Sequence, residues 1–419
     1  MWWRAASVNI TNYIFKQNGN NLLMLELFVA LALGICAGIV TGLVPGVHVN
    51  LVSASLLSVS ALLRVVDTTT LAVFIIAMAV VHTFLDTIPS IYLGAPDTAN
   101  VMAVLPGHRM LLDGKGYDAV KLTIIGSFLS LVIVVASAPL LVVVMSGLQN
   151  VLEPWIGWLL VLMMVWMISR EKKSLVAAFL FLLTGVLGLS VLGLEITQPL
   201  FPMLSGLFGI STLLISLNEQ VRIPAQKISK QLALPWKTLL PSVGMGSFVG
   251  TLGGFFPGLG PAQAAVIGSQ LLPEKRNNFL VLVGGIGTAN MVASLVTFYA
   301  LDKARNGAIV TVRELIGGVA WEQFLLFLIV ALIAGSVGVV LTLFFAKHFA
   351  RWMEKVKYSH LCLGVIGFIV VLVPVISGWM GLLVLAVSTA AGMIAPLANV
   401  SRSNAMGCLL VPVILWFLL

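Results

Sequence analysis

The chain has 419 residues, of which 60% are hydrophobic and only 9% charged, with a formal net charge of +8. A water-soluble domain carries roughly a quarter charged residues. The composition therefore excludes a soluble enzyme, a disordered chain and a nucleic-acid binder with an exposed basic face, and points to a helical multi-pass protein of the cell membrane.

Residues 1–21 are polar, with Trp2, Trp3 and Arg4, and read as an interfacial lead-in to the membrane rather than a cleaved leader. Asn9-Ile10-Thr11 is a glycosylation sequon. The apolar segments expected to be helical are 24–44, 47–63, 70–94, 118–145, 155–169, 174–192, 199–217, 239–256, 260–272, 279–301, 322–346, 358–377, 379–397 and 404–419. They group into a first transmembrane unit (22–217), a basic linker (218–238) and a second unit (239–419). Cys36, Cys362 and Cys408 sit singly in apolar runs and read as small buried hydrophobes, and no metal or cofactor is called for.

Two segments break inside apolar surroundings. Gly38-Ile-Val-Thr-Gly42-Leu-Val-Pro45-Gly46 and Gly250-Thr-Leu-Gly-Gly254-Phe-Phe-Pro257-Gly258 share every glycine and proline of the pattern at an offset of 212 residues. The arm after the second break, 260–272, is too short to cross a hydrocarbon core of roughly 30 Å at about 1.5 Å per residue. Each segment is thus expected to form a re-entrant hairpin or broken helix. The same offset carries 70–94 onto 282–306, 155–169 onto 367–381 and 174–192 onto 386–404. Each half then holds one hairpin followed by five crossings. An odd number of crossings inverts one half relative to the other, as in inverted-repeat secondary transporters.

With each hairpin returning to its own side, three basic clusters share one face. These are Arg170, Lys172 and Lys173; Arg222, Lys227, Lys230 and Lys237; and Lys347, Arg351, Lys355 and Lys357. The positive-inside rule makes that face cytoplasmic. Both termini and loop 302–320 then lie outside and loop 95–117 inside, although Lys303, Arg305 and Arg313 run against the rule.

A Pro-Gly break frees backbone N–H and C=O groups, which is tolerated in a membrane where they line a cavity or meet a ligand. A helix starting after the break offers N–H groups to an anion. The candidate substrate-binding residues are Pro45, Gly46, His48, Asn50 and Ser53 at the first break and Pro257, Gly258, Gly260 and Gln263 at the second. Asp97, Thr98 and Asn100 join them from a further Pro/Gly interruption after residue 94, as do Asn290 and Arg305 from its counterpart region. Thr98-Ala99-Asn100 recurs as Thr288-Ala289-Asn290 at a different offset, 190. His82 and Asp86, four residues apart on one helix face, are candidates for ion or proton coupling and equally suited to a structural pair. Glu26, Glu153, Glu195 and Asp302 lie near segment ends and read as interfacial.

The twin Pro-Gly segments, the loop Pro96–Gly116 and Lys303-Ala-Arg305-Asn-Gly307-Ala308-Ile-Val resemble the TctA-type family, the large membrane subunit of tripartite tricarboxylate transporters, over nearly the whole chain. The resemblance implies a secondary transporter of carboxylates, working with a small membrane subunit and an extracytoplasmic binding protein on an ion gradient. Relative to that family the chain is short, and His48 and Asn50 stand where small residues are expected.

The alternatives are a translocase of a lipid phosphate such as a polyprenyl phosphate, held through Arg109 and Arg305, an intramembrane enzyme, or a membrane scaffold. The chain has no HExxH, GxGD or GxSG motif, and Gly114-Lys-Gly116-Tyr-Asp118 only approximates the second. The expected partners are the small anionic or lipid-phosphate substrate, membrane lipids and further copies of the chain in a homo-oligomer, with no nucleic acid.

Overall fold

In a computed structural model the described residues are 24–44, 49–60, 66–94, 104–218, 224–229, 235–256, 259–272, 276–353, 355 and 357–419. They are helical almost throughout, with no strand among them. The first half contains α1 (Met24–Leu43), α2 (Val49–Ser60), α3 (Thr68–Leu85), α4 (Val104–Leu112), α5 (Gly116–Leu152), α6 (Ile156–Ser169), α7 (Ser174–Leu192), α8 (Leu200–Leu204) and α9 (Ser211–Asn218). The second contains α10 (Trp236–Phe255), α11 (Pro261–Leu271), α12 (Arg276–Leu301), α13 (Gly307–Ile316), α14 (Trp321–Met353), α15 (Tyr358–Ala398) and α16 (Gly407–Leu418). A π-turn (Pro89–Leu93) extends α3, another (Ser205–Ile210) joins α8 to α9, and a 3-10 turn (Arg402–Met406) precedes α16.

Seven helices among the described residues are long and apolar enough to cross a membrane. Their environments divide sharply. The apolar stretches of Thr68–Leu93 and Asn277–Leu301 are 83% and 89% buried within the protein, whereas Met24–Leu43 is 22% buried. Large apolar side chains such as Leu175, Val375 and Trp379 point outward. In water such a surface would aggregate, and in a bilayer it is solvated by lipid. The chain is a multi-pass membrane protein with α3 and α12 at its centre.

Small residues let these helices approach closely. Along α1, a Cβ built on Gly34 would lie 2.5 Å from the Phe74 carbonyl oxygen, on Gly38 2.7 Å from Val81 Cβ, and on Gly42 2.7 Å from Leu85 Cβ. Along α10, the same construction puts Gly246 2.8 Å from the Leu282 oxygen, Gly250 2.7 Å from Ala289 Cβ, and Gly254 2.7 Å from Ala293 Cβ. α12 lies equally close to α5, where a Cβ on Gly284 would come within 2.1 Å of the Thr123 oxygen. Ser127 Oγ donates across that contact to the Gly284 carbonyl at 2.9 Å.

Several expectations change here. Segments 118–145 and 322–346 extend to Gly116–Leu152 and Trp321–Met353. The loops 95–117 and 302–320 contain short helices, α4 and α13, which Pro106-Gly107 within α4 and the glycines at both ends of α13 hid. Segments 358–377 and 379–397 form one run whose division falls at Gly378, the residue with a left-handed φ of 72°. Cys36 is exposed on the outward side of α1 rather than buried, while Cys362 and Cys408 are buried.

Candidate functional site

α10 ends at Phe255, Phe256 is extended (φ −88°, ψ 134°), and α11 starts at Pro261 after an extended Gly260. Proline at the first helical position suits this start, because its missing N–H has no partner to lose there. The broken chain rests on the middle of α12. Asn290 is buried, and a Cβ on Gly253 would meet its Nδ2 at 2.8 Å. Gln263, also buried, comes back over the break, with Oε1 3.0 Å from a Cβ built on Gly260. The Thr297 hydroxyl is 3.0 Å from the Gly254 carbonyl and 2.8 Å from that of Ala293.

The α12–α13 junction closes the same region. Ser294 Oγ accepts the backbone N–H groups of Arg305 and Asn306, each at 3.1 Å. Arg305 Nε donates to the Phe255 carbonyl at 3.0 Å, capping the last turn of α10. Asn306 caps α13 by accepting the Ile309 N–H at 2.9 Å. The first residue of α13, Gly307, has Asn50 against it: a Cβ there would lie 2.5 Å from Asn50 Oδ1. Any side chain at Gly307 would displace the Asn50 amide from this position. Ser53, one turn further along α2, is fully buried, and its Oγ has no hydrogen-bond partner among the described residues.

On α3, His82 and Asp86 are both buried, with Nε2 and Oδ2 3.9 Å apart. They flank the end of α1, since a Cβ on Gly42 would lie 3.3 Å from the Asp86 nitrogen and 3.4 Å from the His82 oxygen. The hydroxyls of Thr83 on α3 and Thr288 on α12 share a 3.0 Å hydrogen bond where the two helices meet. His82 is next to one end of that bond and Asn290 two residues from the other.

The structure thus brings Asn50, Gly260, Gln263, Asn290 and Arg305 around the second break and its junction, and links that region to His82 and Asp86. Ser53 lies on α2 behind Asn50. Pro45, Gly46, His48, Asp97, Thr98, Asn100, Pro257 and Gly258 lie outside the described residues. Sequence reasoning missed Ser294, Thr297 and the Thr83–Thr288 bond. One signal was present for Ser294, which follows Asn290 at the spacing that drew attention to His82 and Asp86.

Glu26, Glu195 and Asp302 are exposed. Asp302 takes a two-point hydrogen bond from Arg313, Nε to Oδ1 and Nη2 to Oδ2, each 3.1 Å. That guanidinium holds the Asp302 carboxyl below its usual value. Among the described residues no cluster of His, Cys, Asp and Glu has the arrangement of a metal site. The region offers amides, hydroxyls, helix ends and one arginine, a set that suits a charged polar solute entering an otherwise apolar interior.

The family model of the tripartite tricarboxylate transporter TctA family matches residues 28–407. The chain belongs to that family. It is also similar to an uncharacterised protein of Methanocaldococcus jannaschii, with 29% identity over 405 residues covering 93% of this chain and 98% of the relative. No solved structure matches it. Membership makes it a multi-pass protein of a transporter family.

Proposed function

We propose that the chain is a secondary active transporter that carries a small organic anion of the carboxylate class across the cytoplasmic membrane. The substrate is held between two broken-helix hairpins, α1–α2 and α10–α11, by backbone N–H groups and a few side chains. Asn290, Gln263, Gly260, Arg305 and Asn50 form the described part of the site. His48, Pro45, Gly46, Pro257, Gly258, Asp97, Thr98 and Asn100 complete it, and His82 with Asp86 couples transport to an ion or proton.

The halves are inverted repeats in this reading, supported by matching packing rather than by spacing alone. α1 and α10 correspond at an offset of 212, and so do α2 and α11. The contacts of Gly34, Gly38 and Gly42 fall on Phe74, Val81 and Leu85, and those of Gly246, Gly250 and Gly254 on Leu282, Ala289 and Ala293, at an offset of 208. The left-handed Gly94 and Asp302 are separated by the same 208. The offset accordingly falls by four residues between the hairpins and the helices that follow them, so 212 does not continue beyond the hairpins.

The observation that carries the proposal follows from this alignment. Offset 208 sets His82 opposite Asn290 and Asp86 opposite Ser294. Both pairs lie against a glycine-lined hairpin end, in a family named for transport. One half carries titratable groups, and the other carries neutral groups that hold the α12–α13 junction. The site is asymmetric, with coupling assigned to the first half and substrate contact weighted to the second.

Loss of uptake in Asn290→Ala and His82→Ala, with the fold kept, is expected in proteoliposomes containing labelled citrate under an imposed ion gradient. Full uptake in both variants would defeat the assignment of the site. A small membrane subunit and an extracytoplasmic binding protein are proposed partners, and their genes beside this one would be the first sign. Movement of polyprenyl phosphate instead of citrate would transfer the site to a lipid substrate.

A further inference from the structure

The hairpin site leaves one cationic cluster unused. Arg402, in the turn before α16, is half-buried, and Nη1 donates to the hydroxyls of Ser211 (3.1 Å) and Thr212 on α9. Those hydroxyls spend their own protons on the π-turn, Ser211 on the Leu207 carbonyl at 2.6 Å and Thr212 on that of Phe208 at 2.5 Å. They therefore face Arg402 with lone pairs only, and fix the guanidinium by one nitrogen. An arginine has five N–H donors in a planar fork. Nη2 and Nε have no acceptor among the described residues.

Among the described residues no carboxylate pairs with Arg402. Arg109, exposed on α4, belongs to the same region, since a Cβ built on Gly94 would lie 3.3 Å from Leu213, beside Thr212, and 3.8 Å from the ring of His108, beside Arg109. The carboxylate on the adjoining turn, Glu171, instead accepts the Ser401 N–H and Asn404 Nδ2, each at 3.0 Å. Neither arginine forms an ion pair among the described residues. Two like charges beside apolar helices are unfavourable, and an anion between them relieves both the repulsion and the unused donors.

We infer that Arg402 and Arg109 form an oxyanion site, separate from the hairpins, that takes a doubly charged group such as a pair of substrate carboxylates or a phosphate. Its walls come from both halves: Arg109, Ser211 and Thr212 from the first, and Arg402 from the second. Occupancy therefore ties the two halves together on one face. That face also holds the basic α6–α7 turn, since Lys173 Nζ donates to the Ala398 carbonyl at 2.8 Å beside the Arg402 turn.

The test is binding to the purified full chain by titration calorimetry, with citrate and inorganic phosphate as soluble probes. Nanodiscs with and without anionic phospholipid supply the headgroup arm. Saturable binding of a soluble probe is expected, weakened at least about tenfold by Arg402→Lys, which keeps the charge but loses the fork, and by Arg109→Gln. Gly244→Ala, on the open side of α10, should leave this binding unchanged, which separates loss of the site from a general effect of substitution. If anionic phospholipid alone displaces the soluble probes, the inference stands with a lipid headgroup as the natural occupant. Wild-type binding in both folded arginine variants, or no saturable binding of any probe, would overturn it.

Discussion

Ser294 shows how much one hydroxyl carries at a helix junction. It accepts two backbone N–H groups, those of Arg305 and Asn306, at the point where α12 gives way to α13. Ser294→Ala leaves both donors without their acceptor, and each unpaired buried group costs about 1–3 kcal/mol. The expected outcome is a lower unfolding temperature in detergent, with helix content unchanged below it. Retention of the full wild-type temperature would contradict that role. Asp302 makes a weaker case with a definite sign. Its carboxyl is held below the usual value by Arg313, so the pair contributes above the unfolded carboxyl range and is lost as acid protonates Asp302. Both groups are solvent-exposed, so Asp302→Asn should remove only a slight, salt-sensitive part of the acid-side loss of stability, read from melting curves between about pH 3 and 7. At this scale the sequence exposed the titratable residues and the helix-breaking ones. Ser294 and Thr297 stayed hidden, because a hydroxyl in an apolar helix most often bonds its own preceding turn, and only the fold shows which ones reach across.

Elements meet here through glycine. Gly284→Ala would put a methyl 2.1 Å from the Thr123 oxygen, backbone against backbone, so α12 and α5 would have to separate. Overpacking of this kind costs about 1–3 kcal/mol. Gly244→Ala has nothing within 4 Å and sits in the interior of α10, so it should be neutral or stabilising by up to about 1 kcal/mol. Thermal unfolding of the two variants side by side gives opposite signs if the packing is as described. The long helices were legible from their apolar runs, and Gly378 marked the division of α15 correctly. α4 and α13 were not legible, since they are short, α4 carries Pro106-Gly107 inside it, and α13 starts and stops at glycine. In the proposed repeat the second helix pair aligns at 208 rather than 212, and a change in turn length leaves no trace in a glycine pattern that ends before it.

For the molecule as a whole, the burial pattern and the family agree on a membrane protein built around α3 and α12. The proposed orientation puts the basic turns inside the cell. Cysteines introduced at Lys172 and Lys227, after removal of the three native ones, should react with an impermeant maleimide only once the membrane is opened. A cysteine at Lys303 should react in sealed cells. The reverse pattern would invert the topology and exchange the faces assigned to the arginine cluster and to α13. Composition alone made the membrane legible, and the quoted motifs made the family legible. The chemistry of the site was less so, because a membrane site draws on backbone and hydroxyl groups that composition does not distinguish from packing. The most direct test of transport is accumulation of labelled citrate and related di- and tricarboxylates in proteoliposomes under a proton or sodium gradient. At least one is expected to accumulate above its external concentration and to be released by an ionophore. Folded protein that accumulates none of them would contradict it.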